Sequence, residues 1–191
     1  MNWLAHLHLA ALVHCDPAAS LLPDLINVRR LDILSAEQNR AIALHQAIDR
    51  FTDKHAQVLH SKKLITAPYT RFSGVLVDIF YDYCLSQTWQ LYSKQALTTF
   101  LAQTHQHLQQ SIPQQPEPIQ PILERLIEQN WLGSYQTQAG IELSLARISQ
   151  RIRRPTDLAP AVAQLREFET QFLEDFQLFY PELVAYVRAG A

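Results

Sequence analysis

Two short stretches of the chain carry histidine and acidic side chains at spacings that could support hydrolytic chemistry. The first contains His45 and Asp49, and the second contains Asp78 and Asp82. Residues four apart lie one turn apart on the same face of an α-helix. If both segments are helical, each pair projects toward one site, where imidazole and carboxylate groups can bind a divalent ion or transfer protons.

The segment around His45 predicts an amphipathic helix over 36–54, with Ser35 as its N-cap residue. At about 100° per residue, His45 and Asp49 fall within the apolar arc of this helix, and Gln46 falls on the opposite side. The pair is therefore expected to face inward. A partly buried hydrogen bond that only orients two helices is the alternative interpretation.

The second segment, from Gly74 to Ser86, is apolar or aromatic except for Asp78 and Asp82 and the two residues that bound it. A helix of this composition must be largely buried, and buried carboxylates are costly unless a cation or donors compensate them. No lysine or arginine falls on the inward arc of either predicted helix. A bound divalent metal is therefore predicted, and the oxygen-rich donor set favours the harder ions.

Further metal ligands are predicted near the N-terminus, at His6, His8 and Asp24. Residues 1–15 are apolar enough to form either a buried helix or an extended segment. The two histidines share a face only in the extended form, because residues two apart on a helix diverge by about 200°. Asp24 has apolar neighbours, and capping the N-terminus of a helix is its alternative interpretation.

The composition predicts an all-α fold. Hydrophobic residues make up 48% of the 191 residues and charged residues 18%, and only four residues are glycine. The length predicts a single helical domain over 1–191. Prolines exclude a helix over 111–121, which is expected to be a surface connection. Further helices are predicted at about 72–86, 93–110, 121–130, 137–152, 158–176 and 179–183.

Charge and cysteine content exclude several functional classes. A net charge of −2 disfavours tight sequence-independent binding of nucleic acid. Cys15 and Cys84 are expected to be reduced, buried thiols. No stretch approaches the ~20 apolar residues of a membrane span, so we expect a soluble cytoplasmic protein. The chain also lacks a Gly-x-Ser-x-Gly elbow and a Gly-rich phosphate loop, which leaves metal-assisted hydrolysis as the favoured chemistry.

Four motifs resemble those of acyl carrier protein phosphodiesterases in order and spacing. They are MNWLAHLHLA at 1–10, LLPD at 21–24, HQAIDRFTD at 45–53 and DIFYD at 78–82. Similar stretches continue at 130–132, 145–151 and 179–181. The likeness therefore covers almost the whole chain.

This resemblance implies a helical bundle of the divergent HD-type phosphohydrolase kind. It implies hydrolysis of 4′-phosphopantetheine from the serine of holo-acyl carrier protein, a reaction of fatty acid metabolism that depends on Mn²⁺, with Fe²⁺ or Mg²⁺ as alternatives. The expected catalytic residues are Asp24, His45, Asp49, Asp78 and Asp82. The expected metal ligands are these five residues together with His6 and His8, and Asp53 belongs to the same motifs.

The chain departs from the family pattern at three places. Ala19-Ser20 replaces the usual Gly-Asn, Gln46-Ala47 replaces a pair that usually contains arginine, and Tyr83 replaces a histidine. Two further hypotheses therefore stay open. One is a catalytically altered relative that acts as an acyl carrier protein-binding module, and the other is an enzyme for another small phosphodiester.

An acidic carrier protein would require basic side chains near the site. The densest basic cluster, which is expected to bind this partner, comprises Arg147, Arg151, Arg153 and Arg154. The alternative is a solvated helix end whose cations interact favourably with the helix dipole.

Overall fold

The computed structural model describes residues 1–27, 34–150, 152 and 156–190. Over these residues the chain forms eleven α-helices, short 3₁₀ turns and no β-strand, which confirms the predicted all-α class. The helices are α1 (Trp3–Leu12), α2 (Pro17–Leu25), α3 (Ala36–Lys54), α4 (Ala56–Leu64), α5 (Ser73–Gln87), α6 (Leu97–Ser111), α7 (Gln120–Glu128), α8 (Trp131–Ser134), α9 (Gln138–Ser149), α10 (Val162–Glu167) and α11 (Glu169–Arg188).

Helix α3 forms where the sequence predicts it. The Ser35 hydroxyl accepts a hydrogen bond from the Gln38 backbone, and the Gln38 side chain accepts one from the Ser35 backbone. This capping box satisfies two backbone N–H groups at the start of the helix. His45 is buried, Asp49 is half-buried one turn later, and Gln46 is exposed on the outer face. The helix therefore presents the predicted pair toward the interior.

Helix α1 lies at the centre of the fold and is buried from Trp3 to Ala10. It packs against α2, α3, α5 and α11. The two carboxylate oxygens of Asp82, on α5, accept hydrogen bonds from the backbone N–H of Leu4 at 2.8 Å and of Ala5 at 3.1 Å. A negative charge at a helix N-terminus also interacts favourably with the helix dipole. Because this segment is helical, side chains two residues apart point to different sides.

The C-terminal region differs from the prediction in how the helices divide. In place of one helix over 158–176 and a short one at 179–183, the chain forms α10, a break at Phe168, and a continuous α11 that passes through Pro181. The buried side chains around this proline are Phe176, Phe179, Tyr180 and Leu183. Their packing offsets the backbone hydrogen bond that a proline inside a helix removes.

The Pro-rich connection at 111–121 contains a 3₁₀ turn at Ile112–Gln114, and its Ile112 and Ile119 are buried. A single hydrophobic core runs from Met1 to Val187 and includes side chains from the first and the last helix. Among the described residues, no helix is both long enough and apolar enough to cross a membrane.

Gly140 allows α8 and α9 to pack closely. A Cβ atom at Gly140 would lie 1.8 Å from the carbonyl oxygen of Ser134, a backbone atom that cannot rotate away. We therefore expect Gly140→Ala to lower the free energy of unfolding by about 2–3 kcal/mol.

Gly74→Ala is the matched control for this substitution. A Cβ atom at Gly74 would come no closer than 3.8 Å to the Lys62 side chain, so alanine should stabilise α5 by about 0.5–1 kcal/mol. Urea denaturation measures both variants. If Gly140→Ala were as stable as Gly74→Ala, the close approach of α8 and α9 would be contradicted.

Candidate active site

Two histidines and one aspartate meet where α1 crosses α3. Ligand atoms of His6, His45 and Asp49 all lie within 4.8 Å of one another. The imidazole rings are stacked, with centroids 3.7 Å apart. Asp49 Oδ1 lies 3.1 Å from His6 Nε2, and Asp49 Oδ2 lies 3.1 Å from His45 Nε2. One carboxylate thus bridges two imidazoles, and we call these three residues the His–Asp cluster.

The tautomer of His45 is fixed by α2. Its Nδ1 lies 2.7 Å from the backbone carbonyl oxygen of Ser20, and because a carbonyl can only accept, Nδ1 carries a proton. Its Nε2 faces Asp24 and Asp49. Burial disfavours the charged ring, but hydrogen bonds to these two acids outweigh burial and raise the pKa of His45 to about 9. In the metal-free protein His45 is therefore a cation.

The other two members of the cluster have complementary protonation states. Burial favours the neutral form of Asp49, but hydrogen bonds from His45 and His6 outweigh it and hold the pKa of Asp49 well below its usual range. Burial lowers the pKa of His6, so this ring is neutral near pH 7. The Nδ1 atom of His6 is buried and has no hydrogen-bond partner among the described residues.

Asp24 borders the cluster at the C-terminal end of α2. Its Oδ1 lies 3.5 Å from His45 Nε2, and its Oδ2 accepts a hydrogen bond from Trp3 Nε1 at 3.1 Å. Burial opposes its ionisation, but the hydrogen bond and charge of His45 outweigh burial and lower the pKa of Asp24. The alternative that Asp24 is an N-cap is wrong, since Asp16 caps α2. A carboxylate near a helix C-terminus is electrostatically unfavourable, so Asp24 contributes to the site at a cost to α2.

The amino group of Met1 is a cation that no side-chain motif of the sequence indicates. It donates to Asp78 Oδ1 at 3.0 Å and lies 3.6 Å from Asp49 Oδ1. Burial opposes its charge, but the two acids outweigh burial and raise the pKa of this amino group. Asp24, Asp49 and Asp78 thus contact the Met1 ammonium and the His45 imidazolium.

The structure corrects two of the predicted metal ligands. His8 points away from the cluster, and its Nδ1 lies 2.7 Å from the Tyr180 hydroxyl, because α1 is helical rather than extended. Asp82 is fully buried, and both its oxygens bind backbone N–H groups of α1. Burial raises the pKa of Asp82 to about 7, although those N–H donors favour the ionised form. Asp82 positions α1 and lies outside the His–Asp cluster, as does Asp53, which is exposed and bonded to Lys62.

His8 should make stability depend on pH. Burial lowers its pKa to about 4, whereas the unfolded chain titrates near 6.5. Between these values the unfolded state binds a proton that the native state excludes, so stability is lost as the pH falls. On acidification from pH 7.5 to pH 4.5, the free energy of unfolding should therefore fall by up to about 3 kcal/mol less in His8→Gln than in the parent protein.

Urea denaturation at both pH values measures the effect of His8→Gln. His107→Gln is the control, because His107 is exposed on α6. If His8→Gln and the parent protein lost equal stability on acidification, His8 would not be held neutral by burial.

None of the polar side chains at the three departures from the family pattern belongs to the cluster. Gln46 is exposed on the outer face of α3, and the Tyr83 hydroxyl donates to Glu169. At the third departure, Ser20 contributes its backbone carbonyl to His45, while its hydroxyl donates to the carbonyl of Pro17. The contact that orients His45 is thus independent of the side chain at position 20.

A cavity of about 340 Å³ opens beside the cluster. Asp24 and Asp78 line it, together with Trp3, Trp131 and Arg147. Of the four predicted partner-binding arginines, Arg147 is therefore part of the cavity wall. Arg151, Arg153 and Arg154 lie outside the described residues, and their binding of a partner stays a prediction.

The donor set fits a divalent metal ion. Two imidazoles and a carboxylate converge, and Asp24 and Asp78 add oxygen donors at the border. His45 donates its Nδ1–H to a backbone carbonyl, as metal-binding histidines commonly do, so Nε2 is the nitrogen available to an ion.

Comparisons with known proteins agree on one family. The family model described as acyl carrier protein phosphodiesterase matches residues 1–183. Relatives of that name include proteins from Photorhabdus laumondii subsp. laumondii, 29% identical over 96% of this chain and 93% of the relative, and from Yersinia pestis, 29% identical over 96% of each chain. No solved structure matches. The chain belongs to the acyl carrier protein phosphodiesterase family, a family of phosphoric diester hydrolases.

Proposed function

We propose that this protein hydrolyses the phosphodiester that joins 4′-phosphopantetheine to a serine of holo-acyl carrier protein. Water adds to phosphorus, the bond from phosphorus to the serine oxygen breaks, and a proton passes to that oxygen. The products are apo-acyl carrier protein and free 4′-phosphopantetheine. The reaction class follows from membership of the acyl carrier protein phosphodiesterase family.

The observation that carries this proposal is the convergence of His6, His45 and Asp49 beside a cavity. We propose that these residues hold a divalent ion, with Mn²⁺ favoured and Fe²⁺ or Mg²⁺ as alternatives, since mixed imidazole and carboxylate donors suit such ions. When bound, the ion would lower the pKa of water and stabilise charge on the phosphoryl oxygens. Asp24 and Asp78 are the further candidate ligands.

The protein's own residues hold these groups in place. Ser20 fixes the His45 ring through its carbonyl, and Asp49 spaces the two stacked imidazoles. Trp3 holds one oxygen of Asp24 and leaves the other directed toward His45. This support pre-organises the donors before an ion or a substrate arrives.

The test is incubation of the purified protein with holo-acyl carrier protein and Mn²⁺, followed by mass spectrometry of the carrier. We expect the carrier to lose the mass of phosphopantetheine, and excess chelator should prevent the loss. An unchanged carrier mass with Mn²⁺, Fe²⁺ and Mg²⁺ would overturn the proposal. Binding of the carrier without hydrolysis would instead support the carrier-binding alternative, and hydrolysis of bis(p-nitrophenyl) phosphate alone would support an enzyme for a small phosphodiester.

A further inference from the structure

Arg147 is a basic side chain in the cavity beside the His–Asp cluster. The residues that the structure describes provide no counter-ion for it. Its Nη1 is buried and lacks a hydrogen-bond partner among the described residues. Within the same part of the chain, no carboxylate comes within ion-pair distance of its guanidinium. Because an unsatisfied buried donor is unfavourable, this group is poised for an acceptor that the described part of the chain does not supply.

Stacked rings hold this guanidinium at a fixed place relative to the acids. Its Cζ lies 5.1 Å from the centroid of the Trp131 ring, which is stacked on Trp3 at 5.7 Å. Trp3 in turn donates its indole N–H to Asp24. The cation contacts one indole of this pair, the acid is bonded to the other, and both line the same cavity.

The remainder of the cavity suits a chain with apolar groups. Val75, Ile79 and Ile148 contribute apolar wall, and the volume of about 340 Å³ is at the lower end of the range of about 300–1,000 Å³ for small-molecule sites. An anion seated at Arg147 would lie in the same enclosure as Asp24 and Asp78. Without a cation between them, these acids would repel it.

We propose that this cavity binds the phosphoryl group of the substrate, with Arg147 donating to a non-bridging phosphoryl oxygen while the attached pantetheine chain lies along the apolar wall. The inference rests on the proposed function and deepens it, because it changes Arg147 from a carrier-docking residue into a phosphate-binding residue. Guanidinium groups suit phosphate because their planar N–H fork matches its oxygens.

Direct binding measurements test this assignment without requiring turnover. Isothermal titration of the Mn²⁺-loaded protein should show binding of 4′-phosphopantetheine, and Arg147→Met should weaken it about 10- to 100-fold, as expected for one charged hydrogen bond. Pantetheine, which lacks the phosphate, should bind more weakly and equally to both proteins. Arg166→Met is the matched control, because Arg166 is half-exposed and paired with Glu142.

Turnover separates phosphate binding from carrier docking. If Arg147 binds phosphate inside the cavity, Arg147→Met should lower kcat/KM for bis(p-nitrophenyl) phosphate and for holo-carrier by similar factors. If Arg147 only docks the carrier, the substitution should lower kcat/KM for holo-carrier alone. Equal affinity of the parent and Arg147→Met for 4′-phosphopantetheine, or a loss confined to the carrier, would overturn the inference while leaving the proposed hydrolysis standing. Failure of the parent protein to cleave the carrier, with phosphate-dependent binding retained, would reject the proposed function and keep Arg147 as an anion site.

Discussion

Asp49→Asn is expected to abolish stoichiometric metal binding and to lower kcat/KM for holo-carrier by more than about 100-fold. This loss is larger than the loss of about 10- to 100-fold that follows removal of a residue that only supports a metal ligand. Asparagine preserves the size of the side chain but removes the charge that bridges His6 and His45. An amide also offers one oxygen where the carboxylate offers two. Elemental analysis after dialysis and steady-state kinetics measure the two effects.

Asp53→Asn provides the matched control on the same helix. Asp53 follows Asp49 by one turn, but its side chain is 70% exposed and bonded to Lys62. We expect this variant to keep its metal and to keep kcat/KM within about twofold, since exposed pairs of this kind contribute little. Full metal content and parental kinetics in Asp49→Asn would contradict the proposed metal site.

The metal-free protein offers a second measurement on the same variant. Asp49 is one of two acids that raise the pKa of His45 to about 9. In Asp49→Asn the pKa of His45, followed by NMR, should therefore fall toward its ordinary value. This shift reports the loss of the carboxylate charge independently of catalysis.

The helical periodicity around His45 and the apolar composition around Asp78 were sufficient to predict that both segments face the interior. In α3 the apolar positions repeat at helical spacing, and His45 is buried on that face. Helix α5 is apolar almost all round, and there Asp82 is buried while Asp78 is half-buried. Burial of the carboxylates indicated a need for compensation. Imidazoles supply it to Asp49, the Met1 amino group supplies it to Asp78, and backbone N–H groups supply it to Asp82. What periodicity could not predict is which acid meets which partner, because the crossing of α1 over α3 is a tertiary property.

Three features of the site had no local sequence signal. Residues 1–15 are apolar on all sides, so nothing in their pattern selected the helix that separates His6 from His8. The carbonyl of Ser20 is a backbone group, and the amino group of Met1 belongs to no side-chain motif. Backbone groups become ligands or counter-ions only when the tertiary fold brings them there.

A second polar network was also absent from the sequence analysis. His60 Nδ1 lies 2.8 Å from Asp175 Oδ2, which also accepts a hydrogen bond from the buried Ser61 hydroxyl. Ser61 in turn lies 2.9 Å from the Tyr81 hydroxyl. Because the serine bonds to the aspartate rather than to the histidine, this arrangement lacks the nucleophile–base contact of a hydrolytic triad. It ties α4 to α5 and α11.

Asp82→Leu is expected to lower the free energy of unfolding by about 3 kcal/mol or more. Leucine is close to aspartate in length but accepts no hydrogen bond, so the backbone N–H groups of Leu4 and Ala5 would be left buried and unsatisfied, at about 1–3 kcal/mol each. Asp16→Ala removes the N-cap of α2, where the side chain is only partly buried, and should cost about 1 kcal/mol. Urea denaturation of both variants measures the contrast.

The same substitution should weaken metal binding although Asp82 is not a member of the His–Asp cluster. Asp82 anchors the first turn of α1, which carries Trp3 and His6, and those side chains orient Asp24 and Asp49. We expect Asp82→Leu to lower Mn²⁺ affinity about 10- to 100-fold, which is the usual range for loss of a residue that supports a metal ligand. The affinity is measured without urea, at a temperature where the variant stays folded. Asp82→Asn keeps one acceptor and should give an intermediate value. Unchanged affinity in a destabilised Asp82→Leu protein would show that the first turn of α1 does not govern the geometry of the metal site.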